Sequence, residues 1–538
     1  MRLKISEEFI NAVGIQALKD LGATNRLYFH DYLDVDLTTL TSANLARLLM
    51  LGQQHQVKGS RVVTRDVGAW LRIKSGVATT ARTCRQMHAM LTKYFTDSVD
   101  TRTLFRVNDF DDTIVAYYAV NAAYHPPDQN TAEYVSLRLG FIEFDSPKTH
   151  TVIFSKDQCL NVSIEKMFAF KSLRPNSLEL MEQYQASLAK FKTLVPQIGL
   201  QVVGTGVGES THRDYWRSEM IHLVADGNPA RMVIDILSES DQIKSNNGRS
   251  VTAINTHEWD KNNVDGEAEV IEVPIHPRLV CFDLRRHTHF FVHVDNIEPY
   301  VYDTKLVEKL VLPAEILDFV NVLVSTPTMY QDIIAGKSGG SVILCCGTSG
   351  TGKTLTAEVY AETIQRPLYT VQCSQLGTEP VALEKALNIV LQRTNRWNAI
   401  CLLDEADVYI ATRENNLIQN SIVGVFLRVL ERHDGTLFMT TNRGDMVDDA
   451  IASRCIARIE YTIPTMAEQA KLWSIISTTA GCPLTDEMIA TIMLKHQKLT
   501  GRDIKNLIKL SMAVSQARGT PITPEMITFV QRFKPPRD

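Results

Sequence analysis

The sequence predicts an α/β core built on a parallel sheet, preceded by helical and α+β domains and followed by a helical domain. Short apolar runs alternate with helical segments across residues 341–461, which is typical of parallel strands joined by crossover helices. Residues 466–538 show helical periodicity alone. A glycine-rich stretch after the first apolar run of the core marks a strand that turns into a helix.

Five regions follow one another along the chain. Residues 41–50 show helical spacing behind a Ser/Thr start, and β-rich runs between 113 and 154 precede an amphipathic helix near 177–193. Residues 241–268 are polar and rich in Asn, Gly and Ser, and we interpret them as a long loop. The predicted regions are a helical region (1–95), an α+β domain (96–275), a hairpin with a linker helix (276–325), a large α/β domain (326–465) and a helical domain (466–538).

Length and composition are those of a globular protein with several domains. The 538 residues would form about three or four domains, and 44% apolar with 22% charged residues is ordinary for such a protein. A net charge of -5 and a pI near 6.3 give no broad basic field. Nonspecific adhesion to nucleic acid or to anionic membranes is therefore not the expected mode of action.

Cysteine usage and hydropathy indicate the reducing cytoplasm. The nine cysteines include no CxxC pair, and Cys345, Cys346 and Cys401 fall inside apolar runs. The N-terminus carries acidic residues early, and no stretch approaches the ~20 apolar residues that span a bilayer. We expect reduced thiols, a cytoplasmic protein and no membrane partner.

Three histidines of the predicted hairpin share strand parity. His287, His289 and His293 could therefore place their imidazoles on one strand face as metal ligands. However, the run RRHTH falls at the probable turn, which takes His287 off the strand. We interpret all three as ordinary surface or packing residues.

The glycine-rich stretch fits the phosphate-binding pattern G-x4-G-K-[ST]. Its glycines let the loop wrap around phosphates, and its backbone N–H groups point inward. Lys353 can reach the β- and γ-phosphates, and the Thr354 hydroxyl can ligate Mg²⁺. The predicted nucleotide-binding residues are Gly347, Thr348, Ser349, Gly350, Thr351, Gly352, Lys353, Thr354 and Leu355.

Two further apolar runs end in polar groups that suit phosphate chemistry. Asp404 follows Lys353 by 51 positions and can hold the Mg²⁺ hydration shell, while Glu405 can polarise an attacking water. The run 436–442 ends in Asn442, whose amide could orient that water or contact the γ-phosphate. The alternatives are acids at a solvated strand edge and an ordinary turn-forming Asn.

The order and spacing of these motifs resemble the AAA+ ATPase series. A phosphate loop, a DE strand and a TTN strand are followed by DDAIASRC at 448–455 and TGRDI at 500–504. The resemblance implies an AAA+ type P-loop NTPase core with a C-terminal helical lid, and it implies ATP and Mg²⁺ as cofactors. More narrowly, the strings around 396–410 and 421–443 resemble an AAA subgroup that includes uncharacterised fungal and viral ATPases and relatives of the Bcs1-type ATPases. The likeness covers roughly 275–515.

The resemblance also implies roles for four side chains. Asn442 corresponds to sensor 1, and Arg502 corresponds to sensor 2 on the helical lid. Arg454 corresponds to the finger that reaches a neighbour's γ-phosphate, and Arg458 is a second candidate because the RPGRFDR wording of many members is absent. Either arginine could instead pair with an acid of its own subunit. An arginine used in trans implies a homo-oligomer, which we expect to be a hexameric ring.

The chain departs from threading members of this family at one loop. After the second strand those members place an aromatic side chain that grips a polypeptide, whereas residues 374–380 read SQLGTEP. Peptide threading is therefore not expected. Tyr409 could line a pore from another loop, but a half-buried tyrosine at a strand end is the preferred interpretation.

These observations favour a ring-forming, Mg²⁺-dependent ATPase that remodels or moves a protein client held by its N-terminal domains. The alternatives are a clamp-loader-like or initiator-like machine acting on nucleic acid, an ATP-dependent assembly scaffold, and a simple P-loop kinase. Nucleic acid is possible as a partner but is not indicated. The chain has 56 basic and 61 acidic residues, and no basic run stands out. A kinase would need neither Arg454 nor the helical module with Arg502.

Overall fold

The structure is a computed structural model of the 538-residue chain. Its described residues are 2–21, 32–37, 40–55, scattered positions between 57 and 71, 80–97, 99–108, 111–129, 131–144, 146–214, 217–225, 227–236, 273–325, 340–413 and 417–533. The long loop expected at 241–268 lies outside them. No helix in these ranges combines the length and the apolar character needed to cross a membrane.

The N-terminal region combines helices with a small sheet. Strands β1 and β2 pair antiparallel, and Leu3 and Ile5 on β1 are buried in the same core as Phe9 and Phe95. This sheet was not part of the mainly helical prediction, because five residues of alternating polarity give only a short period-two signal. The elements are β1 (Arg2–Ser6), α1 (Glu7–Val13), α2 (Ile15–Asp20), β2 (Tyr32–Asp36), α3 (Ser42–Gln54) and α4 (Cys84–Asp97).

A five-stranded antiparallel sheet follows, with the strand order β6-β5-β4-β3-β7. Its long helix α7 begins where Ser177 accepts a hydrogen bond from the Leu180 N–H, which is the usual role of a serine N-cap. The elements are β3 (Thr103–Val107), β4 (Ile114–His125), β5 (Tyr134–Glu143), β6 (Ser146–Ser155), α5 (Lys156–Cys159), α6 (Ile164–Ala169), β7 (Leu173–Pro175) and α7 (Leu178–Leu194).

A second antiparallel sheet contains the predicted hairpin at its centre. The strand order is β10-β9-β14-β13-β12-β8-β15, with β11 paired to β12. The hairpin β13–β14 joins β12 through the pair Ile234 and Cys281, so strands from both sides of residue 275 share one sheet. The strands are β8 (Gln201–Gly204), β9 (Val207–Asp214), β10 (Arg217–His222), β11 (Val224–Ala225), β12 (Asn228–Ile234), β13 (Arg278–Asp283), β14 (Thr288–His293) and β15 (Ile297–Pro299).

The predicted parallel sheet is confirmed, with five strands in the order β17-β18-β19-β16-β20. Its central strands are buried on both faces, which explains their continuous apolar runs. The elements are α8 (Ala314–Ser325), β16 (Ser341–Gly347), α9 (Lys353–Thr363), β17 (Leu368–Gln372), α10 (Pro380–Arg396), β18 (Ile400–Asp404), α11 (Asp407–Ile410), α12 (Leu417–Leu430), β19 (Thr436–Thr441), α13 (Asp449–Ala452) and β20 (Ala457–Tyr461).

Four helices pack around the buried Trp473 at the C-terminal end of the described chain. Each begins behind a threonine whose hydroxyl accepts a backbone N–H, which satisfies a donor that the first turn leaves unpaired. The helices are α14 (Met466–Thr479), α15 (Asp486–Lys495), α16 (Gly501–Arg518) and α17 (Pro524–Gln531).

A buried ion pair fastens the second antiparallel sheet to the parallel-sheet domain. The Asp235 carboxylate accepts bonds of 2.7 and 2.8 Å from the Arg396 guanidinium, and its Oδ2 lies 2.8 Å from Nε2 of His289. The Asp235 side chain is fully buried. Beside it the rings of Phe282 and Trp397 pack with centroids 5.0 Å apart. The end of α10 is therefore held by both charge and apolar contact.

A second contact joins the same two domains at Glu362, near the end of α9. Its carboxylate accepts from the Tyr300 hydroxyl at 2.6 Å, from the Asp303 N–H at 2.9 Å and from Arg231 at 3.3 Å. Burial and the bond to Glu362 raise the pKa of Tyr300 to about 12, so its phenol stays a proton donor. The helix that follows the glycine-rich loop is thus bonded directly to the N-terminal half.

The three hairpin histidines have separate partners. His289 faces Asp235, while Nε2 of His293 lies 3.0 Å from the Ile114 carbonyl oxygen. His287 sits in the turn with a φ of 54°, off the strand as the sequence indicated. Within the described ranges no group of three or more His, Cys, Asp or Glu side chains is arranged to hold a metal.

The Asp235 contact makes a prediction about stability. Burial raises the pKa of its carboxyl, but the bond from His289 and the charge of Arg396 outweigh burial and hold that pKa below its ordinary 3.8. A lowered folded-state pKa stabilises the fold at all pH values above the unfolded-state pKa. That stabilisation is lost as the pH falls through the folded-state pKa, which lies below 3.8.

Asp235→Ala leaves the Arg396 charge without its buried partner. We therefore expect the free energy of unfolding, measured in the first transition, to fall by about 3 kcal/mol at pH 7. Urea unfolding followed by tryptophan fluorescence measures this, because Trp397 lies at the contact. The exposed Asp318→Ala is the matched control and should change stability by less than about 0.5 kcal/mol. Equal effects of the two variants would show that the contact does not stabilise the fold.

Candidate nucleotide site

The glycine-rich loop begins at the carboxyl end of β16 and leads directly into α9. Gly347 and Gly350 have φ values of 146° and 84°, which L side chains rarely adopt. A Cβ on Gly347 would lie 2.2 Å from the Tyr461 carbonyl oxygen, and one on Gly350 would lie 2.7 Å from the Arg502 Cβ. Both positions therefore require glycine. The loop packs closely against β20 on one side and α16 on the other.

Lys353 is the first residue of α9 and extends its ammonium across this loop. Its Nζ donates to the carbonyl oxygens of Gly347 at 2.7 Å and Thr348 at 2.9 Å, and to Oδ1 of Asn442 at 3.0 Å. Burial lowers the pKa of the amine, while the nearby charge of Asp404 opposes that shift. The ammonium is positioned to exchange these oxygens for those of a phosphate.

Thr354 and Asp404 provide two hard oxygen ligands beside the loop. The Thr354 hydroxyl donates to Oδ1 of Asp404 at 3.1 Å. Mg²⁺ prefers carboxylate, hydroxyl and water oxygens and keeps much of its hydration shell, so this pair fits that ion. The pair lies where α9 begins and β18 ends, next to Lys353.

Glu405 and Asn442 project from neighbouring strand ends at the same edge of the sheet. The Glu405 side chain is exposed, and its backbone has a φ of 57°. Asn442 is also exposed, and its amide oxygen accepts the bond from Lys353. A carboxylate and an amide at this edge can orient and polarise a water next to a bound phosphate.

Arg502 reaches the loop from the first turn of α16. Its Nη1 donates to the Ser349 hydroxyl at 2.7 Å, and its backbone N–H lies 3.4 Å from the Gly350 carbonyl oxygen. The C-terminal helices therefore contact the glycine-rich loop itself. A guanidinium at this position can bind phosphate oxygens.

The remaining residues of the loop have different structural roles. The Thr351 hydroxyl donates to the Thr348 carbonyl oxygen at 2.8 Å and is buried, so it stabilises the loop from inside. Gly352 has a φ of 109° and precedes α9. Leu355 is 44% exposed on α9 and has no polar atom in its side chain, so it can contribute only apolar contact to a ligand.

The two candidate finger arginines are bonded to groups of their own chain. Arg454 donates to the Ala450 carbonyl oxygen at 2.9 Å and forms an ion pair with Glu431. Arg458 donates to Glu460 at 2.7 Å and to the Gly444 carbonyl oxygen at 3.2 Å. The sequence left pairing within one subunit open, and both arginines make such pairs here. In the described structure neither donates a hydrogen bond to residues 347–355.

Two residues at the site were not predicted from the sequence. Asp407 accepts from the Thr441 hydroxyl at 2.7 Å and from the Asn442 N–H at 3.1 Å. Thr440 bonds to both Asp404 and Glu405. Asp407 stands three positions after Asp404, which is a visible signal, but Thr440 is recognisable only from the register of β18 against β19.

Tyr409 is a packing residue, but it is more deeply buried than the half-buried strand-end tyrosine that the sequence indicated, and it lies on a helix. It lies on α11 and is buried, with its hydroxyl 2.6 Å from the carbonyl oxygens of Cys373 and Gly377. These carbonyls belong to the segment after β17, where threading ATPases were expected to carry an aromatic. Tyr409 fastens that segment to α11 and does not project from it.

Comparison with known proteins identifies the domain that carries this site. Residues 343–463 match the family described as "ATPase family associated with various cellular activities (AAA)". A Methanocaldococcus jannaschii protein named as a 26S proteasome regulatory subunit homolog is 28% identical over 173 residues, 30% of this chain and 46% of the relative. Fidgetin-like protein 1 of Rattus norvegicus is 25% identical over 193 residues, 34% of this chain and 28% of the relative.

A solved structure, the FIGL-1 AAA domain in complex with ADP, is 17% identical and covers 42% of this chain and 84% of that domain, with a TM-score of 0.35. This chain spans less than half the length of the two curated relatives. The family match shows that residues 343–463 are similar to AAA domains.

The site geometry makes a prediction about nucleotide binding. Lys353→Ala removes the ammonium that would meet the phosphates, so we expect the dissociation constant for ATP to rise at least about 100-fold, or about 2.8 kcal/mol. Titration with a fluorescent ATP analogue measures this. The exposed Lys385→Ala on α10 is the matched control and should bind normally. Unchanged affinity in a folded Lys353→Ala protein would contradict the assignment of the loop.

Proposed function

We propose that this protein is a ring-forming, Mg²⁺-dependent ATPase that remodels or moves a protein client held by its N-terminal domains. The observation that carries the proposal is the bond from Lys353 to Asn442, which joins the glycine-rich loop to the strand end beside Asp404 and Glu405. The match to the AAA family supports ATPase activity in general. Cytoplasmic location and the narrower likeness to Bcs1-type ATPases belong to the same proposal.

The proposed reaction is the hydrolysis of ATP to ADP and phosphate. Lys353 and the backbone N–H groups of the loop bind the β- and γ-phosphates. Glu405 accepts a proton from the attacking water as the new P–O bond forms and the bond to the ADP oxygen breaks, while Asn442 orients that water. Thr354 and Asp404 would hold Mg²⁺, whose charge offsets charge on the phosphate oxygens. Arg502 adds positive charge from the helical lid.

The proposed ring follows from the candidate finger arginines. Within the part of the chain that the structure describes, their hydrogen bonds go to groups outside the glycine-rich loop, which supports use on a neighbouring subunit. Arg454 would exchange its pair with Glu431 for a neighbour's γ-phosphate, and Arg458 is the second candidate. Relatives named as proteasome regulatory subunits also favour an oligomeric assembly. A hexamer is the expected form.

Two features support remodelling without threading. The segment after β17 carries no aromatic side chain and is bonded to Tyr409. The N-terminal half contacts the ATPase domain at Glu362, close to the end of the helix that begins at Lys353. A client held by the N-terminal domains would therefore be moved by those domains and would not be drawn through a pore.

The first test uses Glu405→Gln, which removes the proposed base and keeps the shape of the side chain. We expect ATP to bind normally and hydrolysis to fall at least about 100-fold. With ATP bound and uncleaved, electron microscopy and mass photometry should show closed rings that do not depend on added single-stranded or duplex DNA.

Glu487→Gln, on the first turn of α15, is the control and should turn over normally. Normal turnover by Glu405→Gln would remove this residue from the mechanism. Assembly on DNA alone would instead favour a clamp-loader-like or initiator-like machine.

A mixing experiment tests the finger. Arg454→Ala should lose at least about 100-fold in turnover, because an arginine supplied in trans contributes orders of magnitude to phosphoryl transfer. Adding Lys353→Ala subunits, whose own sites are inactive but whose arginine is intact, should restore activity. Arg458→Ala is tested in the same way. Absence of rescue in rings verified by mass photometry would place Arg454 in cis.

A further inference from the structure

We propose that Thr440 is a positioning residue for ATP hydrolysis, because its single hydroxyl holds both the proposed Mg²⁺ ligand Asp404 and the proposed base Glu405 in place. The inference rests on the proposed ATPase function. Thr440 acts through these two neighbours and is itself buried, with 2% of its surface exposed.

The position of Thr440 follows from the sheet register. Strands β18 and β19 pair in parallel, and the last pair of the ladder is Leu403 with Met439. The next step along both strands brings Asp404 beside Thr440. Beyond the last backbone pair, the Thr440 side chain forms the hydrogen bonds between the two strands. Its Oγ1 lies 2.6 Å from Oδ1 of Asp404 and 2.9 Å from the Glu405 nitrogen.

The chemistry of the groups fixes the direction of both bonds. The Glu405 N–H can only donate, so the Thr440 oxygen accepts that bond. The one hydroxyl proton of Thr440 then goes to Asp404, whose same oxygen also accepts from Thr354 at 3.1 Å. Two hydroxyl donors on one carboxylate oxygen restrict rotation of the Asp404 side chain.

The same hydroxyl supports an unfavourable backbone conformation. Glu405 is not glycine yet has a φ of 57°, a left-handed conformation that residues with a Cβ rarely adopt. Its peptide is held on both sides by Thr440, through the hydroxyl and through the carbonyl oxygen that accepts the Ala406 N–H at 2.9 Å. This turn directs the exposed Glu405 side chain away from the buried strand.

Only some side chains could do this. Valine has nearly the shape of threonine but would leave the Glu405 N–H without its acceptor and Asp404 without one donor. Serine keeps the hydroxyl and loses one methyl group. The pair Thr440→Val and Thr440→Ser therefore separates the hydroxyl from the shape of the side chain.

The test compares these variants in the full-length chain. We expect Thr440→Val to lower kcat about 30-fold while its affinity for ATP in EDTA stays within twofold of the wild type. Thr440→Ser should stay within about threefold of the wild-type kcat. A second readout is independent of turnover: the gain in ATP affinity on adding Mg²⁺, measured by titration, should shrink at least threefold in Thr440→Val.

Thr394→Val is the matched control. Thr394 is buried on α10, and its hydroxyl donates to the Val390 carbonyl oxygen within the helix. This variant should lose thermal stability and keep the wild-type kcat and Mg²⁺ response. If Thr440→Val and Thr394→Val lower activity equally, in proportion to lost stability, the role of Thr440 is structural only and the proposal is overturned. Failure of Thr440→Ser to restore activity would overturn it as well.

A double variant and the wild type separate the two levels of the proposal. At Mg²⁺ concentrations that saturate the metal site, Thr440→Val should add no more than about twofold to the defect of Glu405→Gln, because both then act on one step. Full additivity would contradict the positioning role. A folded wild-type protein that binds but does not hydrolyse ATP would instead refute the proposed function. That result differs from any result that refutes the role of Thr440 alone, because it appears without a substitution.

Discussion

The site depends on the parallel register of β18 and β19. Parallel pairing ends both strands at one edge, so Asp404 and Thr440 lie side by side one step beyond the pair Leu403 and Met439. A slip of one residue would turn every side chain of the slipped strand to the opposite face. Leu403 and Met439 are both fully buried, so the core that fixes this register also fixes the polar groups at its end.

The glycine-rich loop packs closely against both the parallel sheet and the helical domain. Gly347 lies against the backbone of Tyr461 on β20, and Gly350 lies against the Arg502 side chain on α16. Neither glycine leaves room for a Cβ, so the loop, the last strand and the first turn of α16 must move together or separate. A nucleotide that displaces the Arg502 bond to Ser349 would therefore also change the contact between the two domains.

Local patterns pointed to Lys353, Asp404, Glu405 and Asn442, which the structure brings to one edge of the sheet, but not to the bonds among them. The glycine spacing, the DE pair and the strand-end Asn442 each have a signature within a few positions. The bond between Asp235 and Arg396 joins residues 161 positions apart, and no local pattern encodes it. Thr440 reads as one more strand threonine until the register places it beside Asp404. The β1–β2 sheet was missed because its strands are short and separated in sequence.

The N-terminal half is bonded to two different helices of the parallel-sheet domain. Glu362 lies on α9, nine residues and about 14 Å along the helix from Lys353. Asp235 is bonded to α10, which is not continuous with the phosphate loop. A displacement of the loop would act directly on Glu362 and its bonds to Tyr300 and Asp303, while Arg396 stays with its own helix. The two contacts therefore tie the N-terminal half to two helices, of which only α9 is continuous with the phosphate loop.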